Sequence, residues 1–327
     1  MNIEKYDRSA VGRRGRSGPF GAVAPEWWKM ELLTERDLPV TRGCVLAVGV
    51  FDGVHLGHAL LLSRGKELAQ EAGLPLVVYT FAGMSVKGDF ITDTAEKLRL
   101  LSEHGADAVY CADFDSVCGI SAADFAENTV KAGFKAECAV CGGDLRFGAG
   151  REGDTELLKK YVSRVVTVPV CRVRGATVSS SLIRSLISAG DIKGASSLLG
   201  REYSFCFEVV RGSRLGTELG FPTANQRFPN GMCVPKRGVY SGKCVIDGVT
   251  YGCVSDIGTK PTVSQSGIVI CETHIFGFSG ELYGKELRVF PQRFIRDELR
   301  FDDIDALKAQ ISSDAAAAKA VLELPDA

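Results

Sequence analysis

Gly49-Val50-Phe51-Asp52-Gly53-Val54-His55-Leu56-Gly57-His58 is the stretch on which the fold of this chain turns. The run Cys44–Phe51 is short, apolar and β-rich, and the residues beyond, Leu60–Glu71, carry a helical pattern. A strand that turns through glycine into a helix start opens a βαβ unit. The first turn of a helix presents N–H groups with no partner inside the helix, together with the positive end of its dipole. Two imidazoles three residues apart at that place, His55 and His58, make a receptor for the phosphates of a nucleotide. Gly57 between them removes a side chain that would hold a phosphate away. Phosphate contacts are therefore expected along the whole turn, from Gly49, Phe51, Asp52 and Gly57 as well as the histidines. The arrangement suits chemistry that splits ATP between its α and β phosphates.

Outward from this turn, β-rich and helical segments alternate through Leu74–Phe81, Ala95–His104, Ala108–Ala112, Ala122–Ala132, Glu137–Gly142, Thr155–Arg164 and Val165–Val173. That alternation predicts an α/β fold with a parallel sheet, whose ligands bind at the carboxyl ends of the strands. After Ser179 the pattern is helical through Leu199, broken at Gly190-Asp191. From Tyr203 it changes to closely spaced strands, Tyr203–Arg211, Gly238–Ile246, Val249–Ile257, Cys271–Phe278 and Glu286–Phe294, with Asp247-Gly248 a two-residue hairpin turn. Antiparallel strands at this density imply a small closed Greek-key barrel, followed by a terminal helix over Asp303–Leu324. The chain thus divides into a tail (1–29), an α/β domain (30–197) and a barrel domain (198–327), with the boundary between Gly190 and Tyr203.

With 327 residues, each half can bury a core of its own. The content, 45% hydrophobic and 24% charged, is that of an ordinary globular protein. A net charge of −1 gives no support for a sequence-independent grip on nucleic acid. No apolar run approaches the length of a membrane span. The 11 cysteines are scattered through strand-like runs, where the residue acts as a small hydrophobe, so reduced thiols and a cytoplasmic setting are expected. Cys138-Ala139-Val140-Cys141 lacks the second pair a zinc site would need and reads as a buried strand ending in Gly142-Gly143. The first 29 residues hold six Lys/Arg against three Asp/Glu with no apolar period, and read as a disordered tail.

Four further motifs bear on chemistry. Ser179-Ser180-Ser181-Leu182-Ile183-Arg184 opens a helix after a strand. Its hydroxyls, fresh N–H groups and Arg184 one turn in form an anion cup, although a serine there is often only a cap. Gly142-Gly143-Asp144-Leu145-Arg146-Phe147-Gly148 is a glycine-rich loop at the end of a central strand. In the barrel, Gly212-Ser213-Arg214-Leu215-Gly216 lies close to Leu219-Gly220-Phe221-Pro222-Thr223-Ala224-Asn225. There flexible glycines could wrap phosphates, and the Thr223 hydroxyl and Asn225 amide oxygen are hard ligands for a nucleotide-bound Mg²⁺. No Gly-Lys-Ser/Thr follows, so this is not a Walker loop. Alternation along Ile270–Phe276 sets Glu272, His274 and Phe276 on one strand face. A carboxylate so placed could take a proton from an alcohol attacking a phosphate. The histidine motif alone is shared with class I aminoacyl-tRNA synthetases, but their lysine-rich loop has no counterpart here.

In their order along the chain, Gly49–His58, Gly142–Gly148, Ser179–Arg184, Leu219–Asn225 and Glu272–Phe276 resemble the bacterial bifunctional riboflavin kinase/FMN adenylyltransferase (FAD synthetase) family. The likeness runs from about Glu31 to Leu322. It implies a Rossmann-like nucleotidyltransferase domain followed by a riboflavin kinase barrel, with riboflavin, FMN, FAD, ATP and Mg²⁺ as ligands. It further implies that Glu272 is the kinase base, with ATP held by Gly212, Gly216, Gly220 and Pro222 and the metal by Thr223 and Asn225. Adenylyl transfer would fall to His55, His58 and Arg184 with Ser179, Ser180 and Ser181, and the flavin to Asp144, Phe147 and Arg293. The sequence departs from the family pattern at Phe81-Ala82-Gly83-Met84, where a Pro-His-Pro type segment is usual, and at Asp256-Ile257-Gly258, usually Asn-Ile-Gly. The first departure leaves open a riboflavin kinase without adenylyl transfer. A flavin-sensing protein without catalysis would be expected to lack Glu272, Thr223 or Asn225, and all three are present.

Overall fold

The computed structural model describes residues 30–82, 89–212, 215–259 and 268–323. The expected tail, 1–29, and Gly83 and Met84 of the departing loop lie outside the described residues. Two compact units emerge. One is built from residues 30–50, 59–82 and 97–169, the other from 51–58, 89–96 and 170–323.

In the first unit, six strands form one parallel sheet: β1 (Glu31–Leu33), β2 (Cys44–Val48), β3 (Leu76–Phe81), β4 (Ala108–Ala112), β5 (Ala136–Gly142) and β6 (Arg164–Val168). Their spatial order is β1-β4-β3-β2-β5-β6, every pair parallel. Order reverses between β2 and β5, whose carboxyl ends mark the switch point at which doubly wound sheets bind ligands. All five residues of β2 are buried, as an apolar strand sandwiched on both faces must be. Helix α1 (Leu56–Ala72) follows β2, and a β-carbon at its Gly65 would meet Leu76 at 2.8 Å, so the glycine permits close helix–strand contact. Helix α2 (Thr94–Glu103) follows β3, and Lys97 at its start is almost wholly buried, donating to the carbonyls of Val50 at 3.2 Å and Phe81 at 2.8 Å. The pattern over Ala122–Ala132 becomes a short α-turn, Ala122–Asp124, that widens into a π-helix, Phe125–Gly133.

The second unit holds a closed antiparallel barrel of β9 (Phe205–Val210), β10 (Thr223–Arg227), β11 (Gly238–Ile246), β12 (Val249–Thr259), β13 (Val269–Ile275) and β14 (Glu286–Arg296). It closes in the order β10-β13-β12-β11-β14-β9, which leaves no free edge. A two-residue hairpin, β7 (Arg172–Val173) and β8 (Ala176–Thr177), leads into α3 (Ser180–Ala189) and α4 (Ile192–Leu199). Gly190 separates the helices in the left-handed conformation, φ 82°, where glycine alone is free of strain. Helix α5 (Ile304–Glu323) ends the described chain, its first turn capped by Asp303, which accepts from the Ala306 N–H at 2.7 Å.

The sequence boundary between Gly190 and Tyr203 falls inside the second unit. Ile183, Ile187, Ala195, Leu198 and Leu199 share one apolar cluster with barrel residues Phe205, Tyr240, Cys244 and Val289, so α3 and α4 bury their faces in the same core as the strands. Strand β10 was not legible as a strand because Thr223, Asn225, Gln226 and Arg227 are polar. Gln226 nevertheless points into the barrel, fully buried, its amide donating to the carbonyls of Phe207 and Leu287 at 2.7 Å each.

Candidate functional site

The histidine turn is a strained piece of backbone held by a ring of polar anchors. Phe51, Gly53 and Val54 take φ values of 51°, 77° and 36°, and only Gly53 does so without steric cost. The carboxylate of Asp52, 2% exposed, takes the Ile91 N–H on Oδ1 at 2.8 Å and Arg184 on Oδ2 at 2.8 Å. Ser180 donates its hydroxyl to the Asp52 carbonyl at 3.0 Å, and Thr92 Oγ1 accepts the Gly53 N–H at 3.2 Å. On the other side Arg201 donates to the carbonyls of Gly53 at 2.7 Å and Val54 at 3.0 Å.

These anchors set the imidazoles. The His55 and His58 rings stack with centroids 3.7 Å apart, 10° from parallel, and Phe51 lies 5.0 Å from His58. His55 Nδ1 accepts the His58 backbone N–H at 3.3 Å, which leaves the ring proton on Nε2 as a donor. Burial first, and in smaller part the nearby Arg201 charge, lowers the His55 pKa from 6.5 to about 4. His55 is therefore neutral across physiological pH and offers a phosphate a hydrogen bond, not a cation. Gly57 also makes a close approach the sequence did not reveal: a β-carbon there would lie 3.1 Å from the His55 ring, which would have to shift by a few tenths of an ångström.

Two expectations are corrected here. Asp52 does not present its side chain to a phosphate, because both carboxylate oxygens are occupied and a carboxylate would repel one. Arg184 is not an open anion-binding group, since it is paired with Asp52 and also donates to Ser181 Oγ at 3.2 Å. Ser179 is the cap of α3, its hydroxyl accepting from the Leu182 N–H at 3.3 Å. Gly49 donates its N–H to the Tyr79 carbonyl at 3.2 Å, extending the β2–β3 ladder.

In the first unit, Asp144 is exposed in the loop after β5. Phe147 departs from a flavin-facing role. It is 8% exposed, 5.3 Å from the Phe125 ring, and a β-carbon at Gly153 would strike its ring at 2.6 Å, so it is a core residue.

The barrel brings its candidates together through register. Antiparallel pairing sets Asn225 directly opposite Glu272, and Thr223 opposite His274, all on the outer face, while Cys271, Thr273 and Ile275 face the interior. On the far side of β13, Asp256 stands opposite Glu272. The Asp256 carboxyl is pushed up to about 6, first by loss of hydration and then by the nearby Glu298. His274 Nδ1 is bonded to the Pro222 carbonyl at 2.9 Å, which ties the turn before β10 to β13. Gly212 packs on the Asn225 amide so closely that a β-carbon would lie 2.6 Å from Oδ1. At Gly216 it would lie 2.5 Å from the Phe221 carbonyl and 3.5 Å from Thr223 Oγ1, while Gly220 turns with φ 88°. Glycine is thus the residue that allows this loop to lie on Thr223 and Asn225. Arg293 is exposed on β14. Ser213 and Arg214 of the loop lie outside the described residues.

Asn225 gives a test of metal fit. It is 5% exposed, its Nδ2 donates to Thr223 O at 3.2 Å and Oγ1 at 3.3 Å, and its buried Oδ1 has no hydrogen-bond donor among the described residues. A buried carbonyl oxygen left without a partner costs about 1–3 kcal/mol, and a hard cation would satisfy it. Among the described residues no group of three or more His, Cys, Asp or Glu could hold a metal ion, which leaves the neutral oxygens of Thr223 and Asn225 as the donor set. That donor set fits an ion that arrives with ATP. All 11 cysteines are free thiols, and no described helix is long and apolar enough to cross a membrane.

Sequence reasoning missed Arg201, Thr92 and Ile91 at the histidine turn. They are remote along the chain and belong to no motif, so only the fold could join them to it.

Comparison with known proteins places these features in a family. Residues 37–182 match the FAD synthetase family model and residues 199–322 the riboflavin kinase model. The bifunctional riboflavin kinase/FMN adenylyltransferase of Pseudomonas fluorescens is 35% identical over 295 residues, covering 86% of this chain and 94% of that protein. That of Escherichia coli K12 is 35% identical over 291 residues, covering 83% and 90%. A solved structure described as a macrolide-efflux protein from Streptococcus pneumoniae shares the fold, with TM-score 0.74, 29% identity and coverage of 88% of this chain and 97% of that one. On the two family matches and the relatives that span both, the chain belongs to the bifunctional riboflavin kinase/FMN adenylyltransferase family.

Proposed function

We propose that this chain converts riboflavin to FAD in two ATP-dependent steps. In the barrel, Glu272 takes the proton of the terminal ribityl hydroxyl, the oxygen attacks the γ-phosphorus of ATP, and ADP leaves, giving FMN. Gly212, Gly216 and Gly220 lie along the phosphates, where the absence of a side chain permits close approach. Thr223 and Asn225 would hold Mg²⁺, which would supply charge neutralisation to the phosphate oxygens. ATP-using enzymes of this kind generally need a divalent ion, and the hard, neutral oxygens of Thr223 and Asn225 favour Mg²⁺.

In the second step, an FMN phosphate oxygen attacks the α-phosphorus of another ATP and pyrophosphate leaves, giving FAD. The nucleophile is already anionic, so no general base is required, and catalysis rests on orientation and charge stabilisation. The Nε2–H of His55, the His58 ring stacked on it and the N–H groups at the start of α1 contact the triphosphate. Arg184, with Asp52 and Ser180, supports that turn. Asp144 and Arg293, both exposed, remain candidates for flavin contact. Free thiols throughout are in keeping with a cytoplasmic enzyme.

The observation that carries the kinase assignment is the β10–β13 register, which faces the Glu272 carboxylate with the Asn225 amide beside Gly212. The narrower reading, a riboflavin kinase alone, drew on Phe81-Ala82-Gly83-Met84 and gains nothing from the described residues. Two substitutions test the division of labour. Glu272→Gln should reduce FMN formation from riboflavin by a factor of about 10² or more, yet still make FAD when FMN is supplied. His58→Ala should do the reverse. A single substitution that abolished both reactions in a folded protein would refute the two-site assignment.

A further inference from the structure

Arg201 has no place in the steps above, and it lies within the segment matched by the riboflavin kinase model, 199–322. Its guanidinium nevertheless reaches back to the segment matched by the FAD synthetase model, donating to the carbonyls of Gly53 at 2.7 Å and Val54 at 3.0 Å, with a third, longer bond to Leu199 O at 3.4 Å. We infer that Arg201 is a positioning residue for adenylyl transfer, clamping the strained turn that aims His55 and His58.

The geometry argues for a clamp and not for incidental packing. A planar guanidinium can satisfy two consecutive main-chain carbonyls at once, which a lysine ammonium does less well. The two carbonyls lie on either side of the Val54 α-carbon, and Val54 holds φ 36°, a conformation a β-branched residue keeps only when its surroundings enforce it. His55 follows directly, and its ring stacks on His58 at 3.7 Å. The opposite side of the turn is secured by Asp52 through Arg184 and Ile91. Removing Arg201 would leave that side fixed and free the two carbonyls, so the imidazole pair would shift while the barrel strands kept their pairing. The consequence is an adenylyl-transfer turn that depends on a residue encoded in the kinase half of the sequence.

This inference rests on the assignment of adenylyl transfer to His55 and His58, and the test separates the two. Full-length wild type, Arg201→Met and Arg201→Lys are assayed with FMN, ATP and Mg²⁺ for FAD, and with riboflavin, ATP and Mg²⁺ for FMN. Arg201→Met should lower kcat for FAD formation about 10- to 100-fold, since displacement of aligned groups by an ångström can cost about 10². KM for ATP should change little, kinase turnover should stay within about twofold, and Arg201→Lys should recover part of the loss. The chain has four histidines, so the imidazole proton signals of His55 and His58 can be followed by NMR. Their mutual ring-current shifts should diminish in Arg201→Met while those of His104 and His274 stay put. Unchanged FAD formation, unchanged His55 and His58 signals, or equal loss of both activities would overturn the clamp. A wild type that makes FMN but no FAD would instead overturn the adenylyl-transfer reading on which it stands.

Discussion

His55 should resist protonation well into the acid range, and the stability of its unit should pay a measurable penalty for that. Burial lowers its pKa from 6.5 in the unfolded chain to about 4 in the folded one. The difference of about 2.5 pH units corresponds to about 3 kcal/mol. Between those two values the unfolded chain binds the proton and the folded one does not, so acid favours unfolding. Stability is therefore complete above pH 6.5 and is lost as pH falls toward 4. At pH 4.5 the loss traceable to this ring should be about 2.5 kcal/mol, and it should be missing in His55→Gln, which has no ring to titrate. Two assays check this: an NMR titration of the four histidines, and urea unfolding of wild type and His55→Gln at pH 7 and pH 4.5, followed through signals of the His55 unit. A His55 ring that titrates near 6.5, or a His55→Gln protein with the same acid sensitivity as wild type, would refute the reasoning. The same titration bears on mechanism, because a neutral ring donates one hydrogen bond where a protonated ring would add a charge.

Two further outcomes concern ion pairs. Asp52→Ala removes the carboxylate that Arg184, 12% exposed, meets at 2.8 Å and should destabilise by about 3–5 kcal/mol. The double variant Asp52→Ala/Arg184→Met should lose less than the sum of its parts, and strict additivity in urea unfolding would show that the pair is not coupled. At the end of the chain, Arg296 on β14 grips Asp314 on α5 through Nε–Oδ1 at 2.9 Å and NH2–Oδ2 at 2.6 Å, with side-chain exposures of 20% and 7%. Asp314→Ala should cost about 2 kcal/mol, between the exposed and buried limits for such pairs. It should also raise amide exchange along α5, and unaltered exchange there would show that Arg296 does not dock the helix.

What could be read without coordinates was governed by local pattern. The buried strand Cys44–Val48, the helix after Gly57, the break at Gly190 and the hairpin at Asp247-Gly248 announce themselves through apolar runs, period and turn chemistry. Strand β10 did not, because its inward residue is Gln226, acceptable only where the Phe207 and Leu287 carbonyls receive its amide. Strand β1 did not either, since three residues carry too little period to register. At the sites, residue types were legible and partnerships were not. Asp52, Ser180 and Arg184 are each plausible phosphate contacts as sequence, yet in the fold they bond to one another across more than a hundred residues. The resemblance implies flavin contact at Phe147, but the approach of Gly153 and Phe125 makes it core. The pairing of Asn225 with Glu272 followed from no local rule, because it depends on strand register across the barrel.

The central claim is that one chain carries two ATP sites acting in series on a flavin. Purified full-length protein incubated with riboflavin, ATP and Mg²⁺, and sampled over time by chromatography, tests it most directly. FMN should accumulate first and then give way to FAD with release of pyrophosphate. FMN that persists without FAD, or neither product from a folded protein, would contradict it.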